Sequence, residues 1–402
     1  MIPKFVRKKF AGVQKPLGRW ILRHVFEFIV LSPAILVTWL WLKIRHKEVL
    51  ILGKFSSSIT NFVAPLDPVL RRKSQSPSGL ANLIVLNLRQ DANEQIRKMY
   101  SRVVRIYGSE RKILRRIIWW CSFVVKNVPH VDILECQNNP VWHNAAPVIS
   151  LSQDEISRGN KFLDSIGISA GQEFICYTVR TDNYYKNLIA EGNVLKPQKI
   201  RNPDENIYLQ VARKLRGDGF KIIRMGKDLN TKLNSELRLE IFDYAYDCRS
   251  DFMDVFLLTH CKFLLNGGTG SMIFRAVQNL GSVEADLYRV QCNLFKGDVG
   301  IFQKVWLVRE NRLATVSEMV AMGDSFSDER HQERLGVRLV KNTAEEIIAA
   351  CDEMKDRLNG TWVTTEEDEI LQKKYWDLIC DSGHYNGRIG AQFLRDNQDL
   401  LR

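Results

Sequence analysis

Arg180 and Arg224 each stand directly after a short apolar run, and a third such run ends in the cluster Asn266-Gly267-Gly268-Thr269-Gly270-Ser271. A guanidinium offers a planar fork that meets two phosphate oxygens at once, which the single ammonium of lysine cannot copy. Glycines at 267, 268 and 270 permit positive φ. A helix opening at Ser271 would turn unpaired N–H groups and its positive dipole end toward an anion. Two cations and such a turn at one edge describe a site for a phosphorylated ligand. Each part also has a plain structural reading: an ion pair from Arg180 to Asp182 or another acid, Arg224 as one of many arginines that close a strand, and an ordinary strand-to-helix turn.

The runs that must position these residues are Phe174–Val179, Phe220–Ile223 and Lys262–Leu265. Lying between helical patterns, they read as buried strands of a parallel sheet, whose ligands sit beyond the carboxyl ends. Upstream, strands are expected at Glu48–Leu52, Asn82–Leu86 and His130–Leu134, with a helix at Ala92–Val104. Ser152 and Glu155 form a capping box for a helix ended by Gly167, and Ala170-Gly171 is the expected hinge. Beyond it come helix 203–216, a short strand 241–244, helices 250–260 and 271–279, and closing helices at Thr343–Leu358 and Glu366–Leu378. The pattern predicts an α/β fold with two Rossmann-like domains facing a cleft, at 48–170 and 171–342. Residues 1–47 precede them, and C-terminal helices at 343–402 pack back.

Over 402 residues the net charge is +12, but residues 1–47 hold ten Lys/Arg against Glu27 alone. The half carrying the candidate site is slightly acidic, which favours an anionic membrane surface over nucleic acid as partner. Phe28–Leu42 is uncharged and would rise about 22 Å as a helix, short of a bilayer core of ~30 Å. It reads as an interfacial or re-entrant anchor bent by Pro33, with Trp39 and Trp41 at headgroup depth. A buried helix and a short span are the alternatives. The segment 111–120, rich in arginine, isoleucine and tryptophan, reads as a second lipid-facing helix or as an ordinary amphipathic one. Eight cysteines show no C-x-x-C pair and fit reduced cytosolic thiols. HExxH, P-loop, GxSxG and the full dinucleotide fingerprint are absent, so neither metal nor cofactor is implied.

Taken together, the run ending at Arg180 with Tyr184, then Arg201-Asn202, Tyr208, Arg224-Met225-Gly226, Asp243-Tyr244, Ser250-Asp251-Phe252, Asp254, the glycine turn and Gly387-Arg388-Ile389-Gly390 resemble a family of bacterial glycosyltransferases. Those proteins occur with surface-polysaccharide biosynthesis and are similar to the donor-binding half of fucosyltransferase-type GT-B enzymes. The resemblance covers roughly residues 150–400. It implies a GT-B-like, metal-independent enzyme using a nucleotide-sugar donor, and with the basic, apolar start the expectation is a glycan or lipid-linked acceptor at the cytoplasmic face of the inner membrane. Arg180 would contact the diphosphate, with Gly267, Gly268, Thr269, Gly270 and Ser271 beside it, and Asp243 and Tyr244 would border the nucleotide. The chain departs from the family at Thr178, where His is usual, and at Thr181, where Asp is usual. Ser282–Asp286 replaces a proline-containing strand.

Glycosyl transfer requires a neutralised leaving diphosphate and a deprotonated acceptor hydroxyl. Arg180, Arg224 and helix-terminal N–H groups would meet the first need. Asp182, Asp67 or Asp91 would meet the second. A catalytically silent scaffold and a two-domain sugar-nucleotide epimerase stay open beside the transferase, as does the oligomeric state.

Overall fold

The structure, a computed structural model, describes residues 17–52, 58–76, 78–87, 91–108, 112–123, 125–128, 144–181, 183, 201–227, 229, 231–291, 294–323, 329–379 and 387–402. Three parallel strands, β1 (Glu48–Leu52), β2 (Leu83–Asn87) and β3 (Arg105–Tyr107), pair in sequence order. Around them lie α1 (Leu17–Ile44), α2 (Ile59–Val63), α3 (Asp67–Ser74), α4 (Glu94–Ser101) and α5 (Lys112–Cys121). Strand side chains alternate between faces, and both faces here are apolar. Leu50, Leu52, Leu83 and Val85 bury against α2, α3 and α4 through Phe62, Val69 and Ile96. Val49, Ile84 and Leu86 bury against α1 and α5 through Ile35, Leu42, Ile117 and Ile118.

α1 runs through Pro33 as one helix of 28 residues, so the anchor segment is much longer than its uncharged run. It carries two apolar stripes. Leu31, Ile35, Trp39 and Leu42, spaced by three and four, pack toward the sheet. Phe26, Ile29, Leu36, Val37, Leu40 and Ile44 are exposed on the other side. The helix stops at a left-handed residue, His46 (φ 49°). Lys47 N–H donates to Leu42 O (2.8 Å) and His46 N–H to Lys43 O (3.1 Å), the paired bonds of a Schellman turn.

The second half opens on α6 (Gln153–Ser165), where both hydrogen bonds of the Ser152–Glu155 capping box are present. Then follow β4 (Phe174–Val179), α7 (Glu205–Gly217), β5 (Lys221–Met225), β6 (Ile241–Phe242), α8 (Asp251–His260), β7 (Leu264–Gly267), α9 (Met272–Val277), β8 (Ser282–Leu287) and β9 (Val299–Phe302). A small antiparallel sheet of β10 (Lys304–Leu307), β11 (Arg312–Leu313) and β12 (Val337–Val340) comes next, with α10 (Val316–Met322) and α11 (Glu329–Leu335) between its last two strands. α12 (Ala344–Asn359) and α13 (Glu366–Ile379) match the expected closing helices, and β13 (Arg388–Ile389) and α14 (Ala391–Asp396) end the chain. The large sheet is parallel throughout and ordered β13-β9-β8-β7-β4-β5-β6.

On β4, Ile175, Tyr177 and Val179 face a cluster shared with α7, α12 and α14, while Phe174 and Cys176 face the other side with Phe256, Ile273 and Phe274. That second cluster also contains Leu50, Phe62 and Ile96. The two parallel sheets therefore share one continuous hydrophobic core, which crosses the expected boundary at 170. The third strand of the first sheet is Arg105–Tyr107, and the expected His130–Leu134 strand lies outside the described residues. β8 has the sequence SVEADL, whose two acids break the apolar run that a central strand normally shows, yet it is buried.

Candidate functional site

β4 and β7 lie side by side in the middle of the large sheet, so Arg180 and the glycine turn meet at its carboxyl edge. Arg180 N–H donates to Gly267 O at 3.0 Å. Close packing there demands glycine. A Cβ at Gly267 would come within 2.9 Å of Pro203 and of the Tyr208 ring, and one at Gly270 within 2.4 Å of Thr60 Oγ1. Gly268 takes a left-handed φ of +72°, which other residues adopt only with strain. Thr60 belongs to α2, and its hydroxyl donates to Gly270 O at 3.4 Å, so the first half of the chain closes onto the turn.

Asn266 holds the turn from below. Its Oδ1 accepts from Thr269 Oγ1–H (2.6 Å) and Thr269 N–H (3.2 Å), and its Nδ2 donates to Thr269 O (3.0 Å) and Glu284 Oε2 (2.6 Å). Glu284 stands opposite Asn266 in the β7–β8 register and is fully buried. Burial, then the neighbouring Asp298 carboxyl, pushes its pKa well above the usual range. Thr269 Oγ1 accepts from Ser271 N–H at 3.4 Å, and α9 is only six residues long. The turn is thus a shaped, internally bonded surface more than the mouth of a long helix dipole.

Cations gather beside it. The carbonyl of Arg201 lies 3.3 Å from the Cβ position of Gly268. The Arg201 guanidinium stacks on the Tyr288 ring at 4.4 Å, and that of Arg289 sits 5.1 Å from the same ring. Burial lowers the Arg201 pKa, and Arg289 lowers it further, with Tyr288 opposing. Lys341 Nζ donates to Asn202 O at 2.7 Å. Arg180 and Arg201 thus reach the glycine turn through their backbones, Arg289 shares the Tyr288 ring with Arg201, and Lys341 is bonded to the residue after Arg201. The sequence motif contains Arg201 but gave it no role. Arg289 and Tyr288 escaped notice because they follow the unrecognised strand β8.

Three expected donor contacts lie elsewhere. Arg224 is 1% exposed. Its guanidinium bonds Glu205 Oε1 (2.7 Å), Thr231 O (2.8 Å) and Asp243 Oδ1 (3.1 Å). Asp243, also buried, accepts from Leu233 N–H at 2.9 Å. The Tyr244 hydroxyl lies 2.9 Å from Asp254 Oδ1 and accepts from Ser250 N–H. Arg224, Asp243 and Tyr244 hold β5, β6 and α8 together, bonded to one another and to neighbouring residues, where the sequence reading had them at the donor. Asp67 is likewise committed, accepting from Arg71 (2.6 Å) and Tyr100 (2.9 Å) in full burial. Asp91, beyond the end of β2, pairs with Arg97 at 2.8 Å and stays partly exposed. Asp182 lies outside the described residues. A cavity of about 580 Å³ is framed by α4, α6 and the start of α8, away from the glycine turn.

No family model matches the chain, and no curated protein matches it in sequence. Among solved structures it is similar to the ADP-heptose LPS heptosyltransferase II of E. coli, at 14% identity and a TM-score of 0.37, over 59% of this chain and 84% of that one. A glycosyl transferase family 9 protein from Veillonella parvula matches at 9% identity and 0.43, over 77% and 97%. E. coli heptosyltransferase WaaC with ADP matches at 10% and 0.31, over 72% and 99%. Two of the three are named as heptosyltransferases and one as a glycosyl transferase.

Proposed function

We propose that the chain is a membrane-associated, GT-B-like glycosyltransferase. It takes a sugar from a nucleotide-sugar donor and passes it to a cell-surface polysaccharide or lipid-linked acceptor, without a metal. The observation that carries this reading is that Arg180 and Arg201 meet the glycine turn through their backbones at the carboxyl edge of a parallel sheet, with Arg289 on the same Tyr288 ring as Arg201 and Lys341 bonded to the neighbouring Asn202. As the glycosidic bond breaks, negative charge develops on the departing diphosphate, and preorganised cations at a partly desolvated edge stabilise it. Tyr288, with guanidinium groups against its ring, fixes where two of those charges stand. The acceptor hydroxyl loses its proton to Asp91, placed just beyond the carboxyl end of β2, or to Asp182, three residues after Val179 in sequence.

In the same reading α1 lies in the plane of the cytoplasmic face of the inner membrane. Its 21 residues from His24 to Ile44 are long and apolar enough to span. The stripe of Leu31, Ile35, Trp39 and Leu42 is occupied by the sheet, which favours a monotopic helix burying its outer stripe. The test is turnover with a panel of nucleotide sugars and surface-glycan acceptors. The expected result is release of nucleoside diphosphate only when acceptor is present, lost in Arg180→Ala. Acceptor-independent conversion of the donor sugar would point to an epimerase, and donor binding without turnover to a silent scaffold.

A further inference from the structure

A second cavity, of about 530 Å³, opens at the opposite, amino-terminal edge of the three-stranded sheet, where α1 meets β1. Trp41, Arg45, Lys47, Ala81, Arg102 and Arg105 are among the residues that line it, and no acidic side chain does. Arg102 is matched by Glu155 and by Ser150 O. The other three cations have no such match: no carboxylate among the described residues forms an ion pair with Arg45, Lys47 or Arg105. Glu48, adjacent in sequence, is taken by Lys73 and Lys126. Burial, with Arg105 and Arg45 close by, holds the Lys47 ammonium below its usual range. Like charges confined this way favour an anion between them.

The cations are also held in place. Arg45 and Lys47 flank left-handed His46 in the Schellman turn, and Lys47 Nζ donates to Ala81 O. Ile44 closes the outer stripe of α1, and Trp41, exposed one turn earlier, lines the opening. An apolar stripe with an exposed tryptophan near its end, next to a cationic hollow, reproduces the order of a bilayer surface, from acyl chain to interface to phosphate.

We propose that this cavity seats the phosphate of an anionic phospholipid headgroup, which fixes the depth and rotation of the protein on the membrane. The proposal rests on reading α1 as an in-plane membrane helix, and its test separates the two. Full-length protein is titrated with phosphatidylcholine vesicles, with and without roughly a third phosphatidylglycerol. Ala81→Trp fills the cavity without changing charge, Arg45→Ala/Arg105→Ala removes charge without filling it, and Leu36→Asp/Leu40→Asp spoils the outer stripe.

The expected result is that both cavity variants lose about tenfold or more of the phosphatidylglycerol-dependent affinity and keep their binding to neutral vesicles. The stripe variant should lose binding to both. A folded Ala81→Trp protein that keeps the full anionic preference, while the stripe variant fails to bind, overturns the seat and leaves the membrane reading standing. Should Ala81→Trp fail to fold, Arg45→Ala/Arg105→Ala decides the same point. Wild-type protein that binds neither vesicle overturns both. Calorimetric binding of soluble glycerol phosphate, abolished by Ala81→Trp and unaccompanied by any vesicle preference, would assign the cavity to a free phosphate ester and overturn the lipid.

Discussion

Arg180 and Arg224 look alike in sequence, each closing an apolar run, yet they end in different places. Arg180 stays at the edge, bonded through its backbone to Gly267. Arg224 sinks into an ion pair with Asp243 and Glu205. What distinguishes them is the presence of Asp243 directly after β6, a neighbour that becomes visible only once β5 and β6 pair. Removing Asp243 leaves the buried Arg224 guanidinium with Glu205 as its one carboxylate and the Leu233 N–H without its acceptor, so Asp243→Ala should cost up to about 3 kcal/mol of stability, read as a lowered denaturant midpoint. Donor affinity per folded molecule should be unchanged, because neither residue reaches the proposed site. At the turn, Gly270→Val would drive a side chain into Thr60. It should separate the first half of the chain from the glycine edge and lower turnover more than donor binding.

Elements with strong local signals were legible. The Ser152–Glu155 box forms as its spacing predicts, and the three apolar runs become adjacent or near-adjacent strands of one sheet. β8 was hidden because Glu284 and Asp286 interrupt its apolar pattern, and their partners Asn266 and Asn342 come from distant segments. With β8 unseen, Tyr288 and Arg289 could not be placed.

The capping box has a further consequence, because Glu155 also receives Arg102 and Gln95 from the first half. Burial works to raise its pKa, but those bonds and the Ser152 N–H hold it at about 2 against an ordinary 4.5. A carboxyl whose folded pKa is depressed stabilises above its unfolded pKa and loses that stability as pH falls toward the folded one. Between about pH 4.5 and 2 the protein should therefore lose up to about 3 kcal/mol through this group. Glu155→Gln should flatten that limb of an acid titration followed by circular dichroism. At the α1–β1 junction, His46 sits where glycine is the usual cap, and His46→Gly should raise stability by up to about 1 kcal/mol, seen as a higher Tm.

At the scale of the molecule, apolar runs alternating with helical patterns predicted an α/β chain, and that much is present. The continuous core joining the two sheets was not legible, since Phe62 and Phe274 read only as two apolar residues 212 positions apart. Nor was it legible that α1 covers Val49, Ile84 and Leu86. A truncation at Glu48 would therefore uncover core as well as remove an anchor, and substitutions on the outer stripe are the cleaner probe of membrane binding.

The central claim is that a nucleotide sugar is held by cations at the glycine edge. Its most direct test is calorimetric titration of wild-type, Arg180→Ala, Arg201→Ala and Arg224→Lys proteins with the nucleotide sugar that supports turnover. The account predicts a loss of roughly 1.5–3 kcal/mol for each of the first two substitutions, as for hydrogen bonds to a charged group, and unchanged affinity in folded Arg224→Lys. Unchanged affinity in folded Arg180→Ala and Arg201→Ala proteins would contradict it and move the donor site away from this edge.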